Sequence, residues 1–171
     1  MKKIYAPWRH TYVTKKNKAP TSTQLHTNDC VFCHKFSDGD DEKHLIIKRF
    51  DRSAVVMNYY PYNAGHIMVL PLEHKPSLEY LDKRTRAEMM EAVTHCVTVL
   101  QKTMNCEGHN IGINLGIAGG GGIPSHLHIH VLPRWKGDTS FLATTAETNI
   151  ICSDFKETYK DLLAAFKDIE L

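Results

Sequence analysis

A chain of 171 residues with 42% hydrophobic and 23% charged side chains has the size and make-up of a globular domain with extensions. A net charge of only +2 provides no general attraction to nucleic acid or a membrane surface, and no apolar run reaches bilayer length. Five cysteines, of which only Cys30 and Cys33 are close together, argue against a disulfide scaffold, and a Lys-Lys start without an apolar stretch behind it argues against a secretory leader; the expectation is a cytoplasmic protein.

Residues 1–27 read as an N-terminal extension, and "NKAPTSTQLHTND" as a polar loop. "CVFCHKF" follows as a knuckle-like segment, then the acidic, turn-rich "SDGDDEK". "LIIKRF", "SAVVMNYY" and "HIMVLPLEH" are rich in β-branched and aromatic residues and are separated by short turns, which predicts an antiparallel meander. From Asp82 to Met104 the residues Met89, Val93, Cys96, Val97, Leu100 and Met104 recur at helical spacing, with Asp82 as the cap. "NIGINLG" and "HLHIHVLP" predict two more strands, "WKGDTSFLATTAET" is irregular, and Phe155, Tyr159, Leu162, Phe166 and Ile169 predict a last amphipathic helix. The fold class is α+β, with a mostly antiparallel five-stranded sheet, one long helix and a C-terminal helix.

The chemistry concentrates in "GIAGGGGIPSHLHIHVLPRW". On a strand, His126, His128 and His130 share one face, about 7 Å apart, while Leu127, Ile129 and Val131 share the other. A half-exposed strand with histidines on its wet side is the plain alternative; three in strict register make it a poor one, since threonine or lysine would serve equally. A metal site is the second possibility. The third is a nucleophilic imidazole, whose lone pair is available near neutral pH, attacking phosphorus with flanking imidazoles as proton donors. Gly119 to Gly122 favour the third, because backbone N–H groups without side chains can approach an anion. Cys30 and Cys33 have the spacing of metal ligands, with a redox pair or two unconnected thiols as alternatives.

"HLHIHVL" resembles the His-φ-His-φ-His-φ-φ signature of the histidine triad (HIT) superfamily of nucleotide hydrolases and transferases. "MNYYPYNAGHIMVLPLEH", "INLGIAGGGG" and "CVFC" extend the resemblance over roughly residues 28–136, expected as the HIT domain, with 137–171 as a C-terminal extension carrying a helix. "YAPWR" and "PRWKGDTSF" resemble the branch of diadenosine tetraphosphate phosphorylases and related hydrolases. The resemblance makes His128 the nucleophile and places His130 near the phosphates; histidine there, rather than glutamine, is unlike the hexose-1-phosphate uridylyltransferases. It gives Asn58 to the ribose, with a turn role as the alternative, and Asn114 and the loop Gly120, Gly121, Gly122 to the phosphates. One stretch departs from the family: many members place Gln, Ser or Thr just before the triad to assist the leaving group. Here Gly121, Gly122, Ile123, Pro124 and Ser125 stand there, with backbone donors or Ser125 as the expected substitutes.

In the zinc-binding members the remaining ligands are a histidine ending the third strand and the first triad histidine. These match His74 and His126, so the resemblance implies structural Zn2+ on Cys30, Cys33, His74 and His126, with His34 a rival and His128 metal-free. His66 matches a supporting position. The implied function is cleavage of a dinucleoside polyphosphate such as diadenosine tetraphosphate through a nucleotidyl-His128 intermediate, by hydrolysis or phosphorolysis, in a homodimer. The competing readings are an adenosine 5′-phosphoramidate hydrolase, a silent nucleotide-binding protein, and a metallohydrolase holding one ion on all three histidines.

Overall fold

The computed structural model describes residues 30–138, 145–146, 151 and 153–171. The expected N-terminal extension, with Trp8, His10 and His26, lies outside them, as do most of the segment after Asp138 and Cys152. The strands β1 (Ile46–Arg49), β2 (Ser53–Met57), β3 (Ile67–Pro71), β4 (Gly108–Ile113) and β5 (Ile129–Arg134) form one sheet in the order β1-β2-β3-β5-β4. Every neighbouring pair is antiparallel. The meander expected from residues 45–74 is β1-β2-β3, and β5 enters between β3 and the edge strand β4.

Strand alternation divides the sheet into two apolar layers. Val55, Met57, Ile67, Val69, Ile129 and Val131 share one core. Ala54, Val56, Met68 and Leu70 face the other way into a second, with Cys30 and Phe32. Both faces being covered explains why β2 and β3 read as continuous apolar runs, not alternating ones.

Among the described residues three helices cover the two faces: α1 (Val31–Ser37), α2 (Lys83–Met104) and α3 (Phe155–Ala165). The knuckle-like segment is thus the short helix α1, with Cys30 as its N-cap residue. α2 starts where expected: Asp82 accepts the Thr85 N–H at 2.7 Å, and Asn105 in the left-handed region (φ 49°) ends it. Met89, Val93, Cys96 and Leu100 are buried with Ala92 and Val99, whereas Val97 lies off the centre of that stripe and is half-buried. α3 is capped by Asp154, which accepts the Lys156 and Glu157 N–H groups at 2.9 Å. Its Tyr159 and Leu162 and the C-cap residue Phe166 join the first core, and the Tyr159 hydroxyl donates to Ile46 O at 3.0 Å.

The turn before β3 needs Gly65. Its φ is +70°, and a Cβ there would stand 2.1 Å from the Met104 sulfur. That close passage under the end of α2 sets the entry of β3 at His66.

Leu162 is fully buried, so Leu162→Ala should lower the unfolding free energy by about 2–5 kcal/mol. Urea denaturation reads this; a loss below about 1 kcal/mol would mean that α3 is not docked on the core.

Candidate active site

Hydrogen-bonded pairing in β5 begins at Ile129, so only His130 stands in the ladder. His126 and His128 lie in the lead-in, which is tied down by the Leu127 N–H to Lys75 O at 2.7 Å. The alternation persists through that lead-in: Leu127, Ile129 and Val131 enter the core beneath α2. The three histidines look the other way and are buried, at 0%, 6% and 7% exposure, which removes the wet-face alternative. They are not an even row. The His128 and His130 rings are 4.8 Å apart and edge-on, while His126 faces His74 at 5.2 Å.

Hydrogen-bond partners fix the tautomers. A backbone carbonyl only accepts. His128 Nδ1, 2.9 Å from His126 O, therefore carries a proton, and Nε2 keeps the lone pair. His66 Nδ1 accepts the Tyr62 N–H at 3.2 Å and faces the Asn58 amide nitrogen at 3.2 Å, so His66 Nε2 carries the proton. It donates to His130 Nδ1 at 2.9 Å. His130 then holds its proton on Nε2, which is buried with no partner among the described residues. An unmet buried N–H costs about 1–3 kcal/mol and is what an incoming acceptor would relieve.

Burial pushes His66 down to about 3 and His130 to about 4, with neighbouring histidines adding to both shifts, and burial also lowers His128. All three are neutral imidazoles at pH 7. The Asn58 side chain is engaged at both ends, its oxygen accepting the Tyr60 N–H at 3.0 Å. It combines the turn role with a place on the cavity wall.

That cavity, about 560 Å³, opens over His128 and His130 and is lined by Phe32, Asn58, Tyr60 and Ile123 among others. Tyr62 and His130 also line a second cavity of about 210 Å³, together with Asn110 and Asn114. Of the glycine run, Gly122 reaches the large cavity. Gly120 and Gly121 spend their N–H groups inside the loop, on Ile117 O at 3.0 Å and Gly116 O at 3.2 Å. A Cβ on Gly119 would lie 2.4 Å from Leu115 O, so glycine is needed there for the loop's own closure. Ser125 lines neither cavity; its hydroxyl is buried without a partner among the described residues, directly before His126.

Cys30, Cys33, His74 and His126 converge, with one ligand atom from each within 4.8 Å of the others. Sulfur-to-nitrogen distances are 3.4 Å (Cys30–His126), 3.2 Å (Cys33–His74) and 3.6 Å (Cys33–His126). Bond lengths to zinc near 2.3 Å for sulfur and about 2.0 Å for nitrogen place tetrahedral ligands roughly 3.5 Å apart, so the group fits the ion. His126 Nε2 donates to Pro71 O at 2.9 Å, leaving the Nδ1 lone pair for a metal. Cys30 begins a helix, as a redox cysteine would, yet burial and its neighbour Cys30 push the Cys33 thiol up to about 11, opposite to an activated thiolate. Among the described residues no ligand group joins His128 and His130, and the first triad histidine is committed elsewhere, which opposes one ion on all three.

Phe32, Tyr62 and Asn110 carry no motif and were not foreseen. Asn110 was legible in principle, since it lies at alternate positions with Gly112 and Asn114 on the side of His130.

The fold and this constellation belong to the histidine triad class, and the comparisons agree. The HIT domain family signature matches residues 40–137, and the chain is a member of that family. An AP-4-A phosphorylase of Mycobacterium tuberculosis is 31% identical over 160 residues, covering 92% of this chain and 80% of that protein. An asymmetrical bis(5′-nucleosyl)-tetraphosphatase of Schizosaccharomyces pombe is 27% identical over 121 residues, covering 71% of this chain and 63% of that protein. A zinc-bound histidine triad protein of Mycobacterium smegmatis has a similar structure, with TM-score 0.68 and 27% identity, covering 83% of this chain and 96% of that one.

Metal uptake by this cluster should release protons and weaken as pH falls, because the Cys33 thiol must ionise from about 11. Zinc titration of the purified protein in two buffers of different ionisation heat measures the release. Cys30→Ser should lower both zinc content and thermal stability; unchanged zinc content would exclude the site.

Proposed function

We propose that the chain cleaves dinucleoside polyphosphates, such as diadenosine tetraphosphate, through a nucleotide carried covalently on His128. The observation that carries this is the pairing of an Nε2 lone pair on His128 with an orphaned, neutral N–H on His130 above one cavity. The relatives named for AP-4-A phosphorolysis and nucleosyl-tetraphosphate cleavage support the substrate class.

His128 Nε2 attacks the α-phosphorus. A phosphorus–nitrogen bond forms as the bond to the bridging oxygen breaks, and the leaving polyphosphate takes that electron pair. The imidazole becomes cationic, and His126 O, already accepting from Nδ1, stabilises it. His130 Nε2 donates to a phosphate oxygen, held in aim by His66, Asn58 and the Tyr62 amide. Water then attacks phosphorus, loses its proton to solvent and returns the electron pair to Nε2, giving a nucleoside monophosphate. Inorganic phosphate in the same step gives a nucleoside diphosphate. Zinc on Cys30, Cys33, His74 and His126 would supply a structural cross-link with no part in bond making. Asn114, which lines the second cavity with His130, supports a role for that cavity in holding the phosphate chain, and Gly122 on the large cavity supports a backbone contact. The homodimer reading is supported by the edge position and open face of β4; sedimentation tests it.

Diadenosine tetraphosphate incubated with and without inorganic phosphate should yield ADP plus ATP, or AMP plus ATP. His128→Ala should reduce turnover by at least about 10⁴-fold. His130→Ala should reduce kcat by about 10²–10³-fold, the loss of one aimed donor. Quenched wild-type reactions should contain protein heavier by one nucleotidyl group; its absence together with an active His128→Ala would defeat the mechanism.

The histidine pKa values lie below the ordinary 6.5, so the neutral nucleophile and donor persist as pH falls. The value of kcat/KM, which reports the free protein, should therefore hold through pH 6.5 and decline only below that range. A kcat/KM profile that falls with an apparent pKa near 6.5 would contradict the neutral relay.

A further inference from the structure

We infer that Lys35 reads the edge of the nucleobase, donating from its ammonium to ring-nitrogen or carbonyl acceptors of the base whose phosphate lies at His128; this rests on the reading of the cavity as a nucleotide site.

Lys35 stands three residues after Phe32 on α1, on the same helix face. Phe32 meets the His128 ring at 5.5 Å. One wall of the large cavity thus runs from the nucleophile along a single helical turn to the lysine. Nζ donates to His44 O at 3.3 Å. Among the described residues it meets no carboxylate, whereas neighbouring Lys43 is held by Asp38 at 2.7 Å. An ammonium has three donors, so two remain for a ligand.

Position decides between base and phosphate. His44 leads into β1, which lies three strand positions from β5, roughly 14 Å across the sheet. Lys35 is therefore at the end of the cavity away from the phosphorus that His128 would attack. The cavity that Lys35 and His128 share is also lined by Val31, Leu45, Tyr60 and Ile123, apolar surface suited to the face of a heterocycle. A partly buried cation walled by such groups matches an acceptor on the rim of a ring, and a charged donor makes that bond stronger than a neutral one.

The experiment is calorimetric binding of AMP, adenosine, and the 1-deaza and 7-deaza analogues of AMP to wild type and to Lys35→Met, with thermal melts to confirm that both are folded. Lys35→Met should weaken AMP and adenosine alike, by about tenfold or more. Wild type should bind at least one deaza analogue correspondingly less well than AMP, and that gap should close in Lys35→Met. A loss for AMP but not adenosine would assign Lys35 to the phosphates and overturn the inference, as would a gap that persists in the variant. Wild type that binds none of these ligands would overturn both the inference and the nucleotide reading beneath it.

Discussion

Two main-chain carbonyls decide which nitrogen of two adjacent histidines is left for chemistry. Pro71 O takes the His126 Nε2 proton and turns Nδ1 toward the thiols; His126 O takes the His128 Nδ1 proton and leaves Nε2 bare. Neither choice is open to thermal reshuffling at low cost, because both rings are buried and a carbonyl cannot donate. The same residue type two positions apart thus receives opposite tautomers, a bare Nδ1 on His126 beside the thiols and a bare Nε2 on His128, from backbone geometry alone. His130 is set in the opposite sense and by a side chain: His66 Nε2 donates to its Nδ1, which keeps the His130 proton on Nε2.

This arrangement needs a roof. α1 has seven residues, too few to persist on helical hydrogen bonds alone, and its N-cap makes no side-chain cap bond. What holds it is tertiary: Cys30 and Phe32 in the second core, and both thiols on His74 and His126. Phe32 contacts the His126 and His128 rings at 5.5 Å each, so the helix that carries the thiols also bounds His128. Loosening the cluster would therefore widen the cavity, an effect distinct from removing a catalytic group.

The parts visible in the sequence are those whose signal is periodic. α2 showed itself through a stripe at helical spacing and a capping aspartate, and the meander through β-branched runs between turns. The alternation at residues 126–131 was legible even though its first half is not paired, because side-chain direction depends on extended backbone and not on a partner strand. α1 was not, since Cys-Val-Phe-Cys-His-Lys-Phe has no stripe and its cysteines pull the eye to metal chemistry. The glycine run was read as a phosphate cradle from composition; the loop instead uses two of its N–H groups on itself, a matter of φ angles that composition does not carry. Asn58 was read as one role or another, and its two-ended amide fills the turn role while facing the cavity.

Burial and substrate charge act on the histidines in opposite directions. Desolvation holds His66, His128 and His130 neutral in the free protein. In the proposed reaction a polyphosphate beside them would stabilise the protonated form and draw those pKa values back up. A donor protonated from the outset would bind the anion well before the reaction as well as during it, which lowers KM without accelerating the step. A neutral His130, already aimed and already carrying the right proton, avoids that. Its attraction for negative oxygen strengthens as charge gathers on the phosphoryl group and leaving oxygen. In the proposed mechanism the depressed pKa values would then serve the chemistry as well as follow from a buried strand.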